Sequence, residues 1–144
     1  MSLLTAMEVG ASGLTAQRKR MEILVSNLVN ANTTGPEGTE PYRRKDVVFA
    51  ASAPQAAFGG NLNDAMEGVS GVEVAKVFVD QSPPLRRYEP GHANADKDGY
   101  VSYPDINPMR EMVNMLIATR SYEANLQAVN TTKEMAMKTL DIIR

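Results

Sequence analysis

The 144-residue chain has room for one domain, and its formal net charge of −2 exerts no global pull toward nucleic acid or an anionic membrane. With no Cys and a single His, it excludes disulfide scaffolds, thiolate chemistry and multi-histidine metal sites. Hydrophobic residues reach 43%, but 17 of them are Ala, 9 are Met and none is Trp, a mixture that suits thin helix seams and adaptable contact surfaces better than a thick core.

Residues 3–30 carry a helical period. Leu4, Ala11, Arg18 and Val25 recur every seven residues, and Met7, Leu14, Met21 and Leu28 form a second row three residues on. The spacing predicts a helix with a narrow stripe to bury. Arg18 is the stripe's only charged member and is expected to meet a carboxylate there. Gly10 and Gly13 interrupt the pattern, each costing about 1 kcal/mol of helix propensity against Ala, so the helix needs a partner. The opening MSLLTAMEVG has no basic segment before its apolar residues and reads as a poor secretory signal. No apolar run approaches the roughly 18 residues of a membrane span.

The helix is expected to run out at Asn30, where NANTTGPEG begins. Asn27, Asn30 and Asn32 surround that end. Asn favours caps and turns, so the three are expected to satisfy the last carbonyls and fix the exit of the chain.

Residues 31–107 look mixed and non-helical. Tyr42–Phe49 has strand character, and 50–69, rich in Ala, Gly, Asn and Ser, reads as an irregular loop. Val72–Val79 (VEVAKVFV) is the clearest strand, bounded by Gly71 and Asp80. Ser82-Pro83-Pro84 reads as a turn that returns Leu85–Tyr88 as its partner, and Tyr100–Tyr103 as one more short strand.

Residues 108–143 read as a second helix, with Asn107 as N-cap and Pro108 at the first position. Met112, Thr119, Leu126, Lys133 and Leu140 form one row; Met115, Tyr122, Val129, Ala136 and Ile143 form the other. The expected architecture is α+β. Segments 1–30 and 108–144 pair as an antiparallel coiled coil, with the β-hairpin and loop segment 31–107 on its outer side. Part of each stripe is left for a neighbouring subunit. Arg120, Ser121, Tyr122, Asn125 and Asn130 form a polar set suited to fixing packing register across helices or subunits.

Asn94–Asp105 (NADKDGYVSYPD) has the spacing of a calcium loop, with Asn94, Asp96, Asp98 and Asp105 as oxygen donors and Gly99 at the sharp turn. A small calcium- or ligand-binding module built on this loop is the alternative function. The flanks argue against it: Pro90-Gly91 lies upstream and Pro104 inside, where helices are required, so a polar turn before a short strand is the expected reading. His92 has no triad spacing to Ser102 or Asp96 and reads as a loop histidine. The runs Arg18-Lys19-Arg20 and Arg43-Arg44-Lys45 lack interleaved aromatics, so Lys19 and Arg20 read as a solvated helix face.

SNLVNANTTG after an amphipathic helix resembles the signature of flagellar rod and hook proteins, close to SNLANANTxG, with Val29 where the family commonly has Ala. The stretches GPEGTEPYRRKDVVF, GVEVAKVFVDQSPPLRRYEPG, DKDGYVSYPDIN and EMVNMLIATRSYEANLQAVNTTKEMAMKTL resemble the proximal rod proteins within that family. The resemblance spans nearly the whole chain. It implies a structural subunit of the bacterial flagellar basal-body rod, assembled helically around the export channel to transmit torque, with no catalytic residues and no cofactor. It implies export through the flagellar type III apparatus without a cleaved signal, and a place in the periplasmic rod. The implied partners are copies of itself, other proximal and distal rod proteins and the adaptor at the export gate and MS ring, with no nucleic acid and no membrane insertion. From the heptad rows and the polar sets, the residues expected to carry helix packing and assembly are Leu4, Met7, Leu14, Met21, Val25, Asn27, Leu28, Asn30, Asn32, Met112, Met115, Arg120, Tyr122, Asn125, Leu126, Val129, Asn130 and Leu140.

Overall fold

A computed structural model describes residues 3–36, 38–52 and 70–143. The elements run α1 (Leu3–Asn30), β1 (Lys45–Ala51), β2 (Val72–Val79), β3 (Leu85–Tyr88), β4 (Tyr100–Tyr103) and α2 (Pro108–Ile143). The class is α+β. The expected loop over 50–69 falls mostly on 53–69, outside the described residues; Ala50 and Ala51 close β1.

Each helix begins or ends where its residues require. Asn107 Oδ1 accepts from the backbone N–H of Met109 at 3.0 Å and of Arg110 at 3.3 Å, satisfying two of the free donors of the first turn of α2. At the end of α1, Asn30 Nδ2 donates to the carbonyl of Ser26 at 2.8 Å, and Thr33 Oγ1 donates to Asn30 Oδ1. Asn32 is exposed.

The helices lie side by side and antiparallel. Gly10 meets Val129, Gly13 meets Asn125, Met21 meets Thr119, and Asn27 meets Glu111, so steps forward along α1 are steps backward along α2. The second expected row of each helix, Met7, Leu14, Met21, Leu28 and Met115, Tyr122, Val129, Ala136, is half-buried. The first row of each departs from expectation. Leu4, Ala11, Arg18 and Val25 are exposed, as are Met112, Leu126, Lys133 and Leu140, whereas Thr119 of that row is half-buried against Met21. Arg18 therefore meets no carboxylate in a seam. On α2 the companion row lies one residue earlier, at Glu111, Ala118, Asn125 and Thr132, all buried or half-buried. On α1 the rows Gly10, Gln17, Leu24 and Ala6, Gly13, Arg20, Asn27 are likewise covered. The physical reason is size. Gly10 and Gly13 let the side chains of Val129 and Asn125 pack against α1, so the contact turns toward these small positions, and one heptad row of each helix stays in it while the other is left largely outside.

The strands form two antiparallel pairs, β1 with β2 and β3 with β4. The expected hairpin of β2 with β3 does not form. Pro83 and Pro84 have no N–H to pair, and a residue before proline is held extended, so the chain crosses between sheets instead of reversing. Instead, β2 pairs back with β1, from Lys45 opposite Val79 to Ala51 opposite Val72, with a bulge between Val48 and Phe49. β3 pairs with β4 across a turn in which Gly99 has φ +82°, a backbone state that favours glycine. Gly71, at the foot of β2, abuts Ser12 of α1, whose hydroxyl accepts the Val72 N–H at 3.0 Å and donates to the Val9 carbonyl at 2.7 Å.

The core is thin. Leu24, Val101, Ile106, Ala16, Ala31 and Ala118 are its buried apolar residues among those described. Leu24 is the largest of them at the helix seam, and truncating it to Ala costs about 2–5 kcal/mol.

Candidate functional site

Three features of the helix pair bear on function: a polar junction at one end, glycines packed under side chains of α2 toward the other, and apolar faces left open.

The junction centres on Asn27, fully buried in the last turns of α1. Its Nδ2 donates to the carbonyl of Lys45 at 2.7 Å and to Glu111 Oε2 at 3.0 Å. Its Oδ1 accepts from the Lys45 N–H at 2.9 Å and from the Tyr42 hydroxyl at 3.0 Å. All four hydrogen-bonding positions of the amide are used. Tyr42 has one proton and gives it to Asn27, so the Ser26 hydroxyl is the donor in its 3.1 Å contact with Tyr42. Asn27 thus holds the first residue of β1 as a paired strand would.

Glu111 is as deeply buried as Asn27 and sits in the first turn of α2, where the helix dipole favours a carboxylate. Its Oε1 accepts from Arg44 Nε at 2.8 Å, and Arg44 also reaches Asp46 at 3.1 Å. Burial works against the Arg44 charge, but the hydrogen bond and charge of Glu111, with those of Asp46, outweigh it and hold its pKa above the usual arginine value. The network ties α1, β1 and α2 at one point. The neighbouring basic residues are also engaged within the chain: Arg43 pairs with Glu40 and Gln81, and Lys45 lies over the Tyr42 ring.

Toward the other end, the seam closes on glycine. A Cβ at Gly10 would stand 2.5 Å from Val129 Cγ2, and one at Gly13 would stand 2.9 Å from Asn125 Nδ2. The helix-propensity cost of these glycines is thereby explained by the approach of α2. Gln17 lies in the same stretch, its Oε1 buried with no hydrogen-bond partner.

The open faces hold large apolar side chains. Leu4 is 73% exposed, Val29 72%, Met109 68%, Leu116 65% and Leu140 68%. On α2, Met109, Met112, Val113, Leu116 and Ile117 follow one helical stripe, at spacings of three, four, seven and eight residues from the first, and all five are exposed. Arg120 and Asn130 are exposed too, with Arg120 paired to Glu123 at 3.2 Å. Tyr122 and Asn125 are half-buried on the seam side.

The calcium reading of 94–105 finds no support in the geometry. Asp96 Oδ1 accepts the N–H groups of Asp98 at 3.0 Å and Tyr100 at 2.8 Å, and its Oδ2 pairs with Arg86. The Tyr100 N–H, helped by Arg86 and Asp98 against partial desolvation, holds the Asp96 carboxyl below the usual range. Asn94 Nδ2 donates to Thr34. Among the described residues, no group of three His, Asp or Glu side chains is placed to hold a metal ion. His92 Nδ1 accepts the Asn94 N–H at 3.1 Å, as a local turn contact. No described helix is long and apolar enough to cross a membrane.

Of the junction residues, Asn27 is evident in the sequence as a polar group at a helix end. Tyr42 and Glu111 do not stand out there. The only sequence signal for Glu111 is an acidic residue in the first helical turn, one position off the apolar row.

Two family descriptions match the chain. "Flagella basal body rod protein" matches residues 7–36, which cover most of α1 and the turn after it. "Flagellar basal body rod FlgEFG protein C-terminal" matches 97–142, which cover β4 and α2. Among relatives, the flagellar basal-body rod protein FlgC of Escherichia coli is 44% identical over 144 residues, covering 99% of this chain and 98% of its own. FlgC of Bacillus subtilis is 41% identical over 150 residues, with 99% of each chain covered. FlgC of Borreliella burgdorferi is 36% identical over 151 residues, covering 100% of this chain and 99% of its own.

Proposed function

The chain belongs to the FlgC family of flagellar basal-body rod proteins, and we propose that it builds the rod by burying, between subunits, the apolar faces that its own fold leaves open. It is a structural subunit of the flagellar basal body and not an enzyme. The observation that carries the proposal is the exposed stripe Met109, Met112, Val113, Leu116 and Ile117 on α2. Contiguous exposed apolar surface of this kind marks a contact face in a soluble subunit.

In this reading the helix pair is a short antiparallel coiled coil in the inner wall of the rod, with residues 31–107 outside it. Copies associate through heterologous contacts, one face meeting a different face on the next, which generates an open helix around the export channel. The same faces serve the neighbouring proximal and distal rod proteins and the adaptor at the export gate. The chain leaves through the flagellar type III apparatus without a cleaved signal and assembles in the periplasm. A thin core and a cysteine-free sequence suit a chain that must pass unfolded before it assembles.

The experiment is replacement. The full chain is expressed in a bacterium whose own FlgC is deleted, and basal bodies are purified. Restored rods that contain the chain support the reading. Chain that is exported but stays soluble, with no rods formed, contradicts it.

A further inference from the structure

Methionine is the side chain of this protein most open to two-electron oxidation, because the sequence has 9 Met, no Cys and no Trp. The seven methionines among the described residues divide by environment. Met7, Met21 and Met115 are half-buried on the seam side, and the Thr119 hydroxyl lies 3.7 Å from Met21 Sδ. Met109, Met112, Met135 and Met137 are all on α2 and 45–68% exposed. Two of these four belong to the apolar stripe that carries the assembly reading, and the other two extend the exposed surface toward the helix C-terminus.

We propose that Met109, Met112, Met135 and Met137 form a reversible oxidation site that controls whether the subunit can assemble. The oxidant is hydrogen peroxide. The thioether sulfur attacks the O–O bond, takes up one oxygen and loses two electrons, and the second oxygen leaves as water. A dithiol-dependent reductase reverses the step, removing the oxygen as water while the dithiol becomes a disulfide. The sulfoxide is polar and chiral where the thioether was apolar and adaptable, so it disfavours burial of the stripe against a neighbour. Its site selectivity follows from exposure: Met109, Met112, Met135 and Met137 are exposed in the free subunit, whereas Met7, Met21 and Met115 are half-buried on the seam side. In an assembled rod the same burial that needs reduced methionine also protects it, so oxidation acts on free subunits.

This inference rests on the assembly reading above, and the test separates the two. The purified full chain is treated with dilute hydrogen peroxide and mapped by mass spectrometry. Met109, Met112, Met135 and Met137 should gain oxygen several-fold faster than Met7, Met21 and Met115, and incubation with methionine sulfoxide reductase and dithiothreitol should reverse it. Equal rates, or faster oxidation of Met21, overturn the site. In the deletion host, the wild-type chain and a variant carrying M109L, M112L, M135L and M137L are each grown with and without peroxide, and the ratio of treated to untreated rods is read for each chain, so that any effect of the substitutions on assembly itself cancels. The wild-type ratio should fall several-fold while the variant's ratio stays near one. Equal loss in both places the damage elsewhere and overturns the proposal, as does wild-type assembly that peroxide leaves unchanged. If the untreated wild type builds no rods, the assembly reading itself fails and the inference falls with it.

Discussion

Asn27 and Glu111 are 84 residues apart in the chain and 3.0 Å apart in the structure, and both are fully buried. This bond joins the end of the first helix to the start of the last, and through Arg44 and Lys45 it holds the first strand to both. Removing one member of such a network leaves the others buried and unpaired. Glu111→Ala is therefore expected to destabilise the chain by about 3–5 kcal/mol, the usual cost of stranding one member of a buried ion pair. Asn27→Ala should cost about 1–3 kcal/mol. Asn27→Asp should cost more than Asn27→Ala, because it sets a second carboxylate against Glu111. Urea unfolding of the purified chain checks the order; Asn27→Asp at or above wild-type stability contradicts the network.

Gly10 tests the close approach. On helix propensity alone Gly10→Ala gains about 1 kcal/mol. The structure predicts a net loss, because the new Cβ lands 2.5 Å from Val129 Cγ2. Val129→Ala should then rescue Gly10→Ala, and the pair in a double-mutant cycle should show a favourable coupling of about 0.5–3 kcal/mol. Gln17→Met, which removes a buried acceptor that has no partner, should be neutral or stabilising. A thermal midpoint that rises for Gly10→Ala alone would rule out the tight seam.

Both helices follow from local signals, including the Asn107 cap and the Pro108 start, because period and capping are read within a few residues of sequence. The register of their pairing was not legible for a physical reason. A heptad search follows bulky apolar residues, and here those at Met112, Leu126 and Leu140 lie on the outer face. The seam shares one apolar row of each helix with Gly10, Gly13, Ala118, Asn27 and Glu111, which carry little hydrophobic signal. The pairing of β2 with β1 was equally hidden: its partner lies across residues 52–71, and no local turn announces it. The 94–105 motif shows the converse, since the oxygen spacing is present but Asp96 spends its oxygens on Asp98, Tyr100 and Arg86.

Leu116 separates folding from assembly. It is 65% exposed, so Leu116→Asp should change the unfolding free energy of the isolated chain by no more than about 0.5 kcal/mol. In the deletion host it should abolish rods while the chain is still exported. A folded, exported Leu116→Asp chain that builds normal rods contradicts the role of the stripe.

The β3–β4 hairpin should weaken in acid. Asp96 has a folded pKa below its unfolded value, chiefly because the Tyr100 N–H bonds its carboxylate. Its contribution is present in full above the unfolded value of about 3.9 and is lost as pH falls through the lower, folded value. The Tyr100 amide should exchange faster with solvent across that acid window, and Asp96→Asn should flatten the dependence. A Tyr100 amide equally protected on both sides of the window would show that Asp96 does not hold the turn.

A density map of purified basal bodies containing this chain tests most directly whether neighbours complete the subunit. Met109, Met112, Val113, Leu116 and Ile117 should lie in van der Waals contact with side chains of adjacent subunits, with the Asn27–Glu111 bond intact inside each copy. A map in which that stripe faces solvent or the central channel, while subunits touch only through residues 31–107, contradicts it.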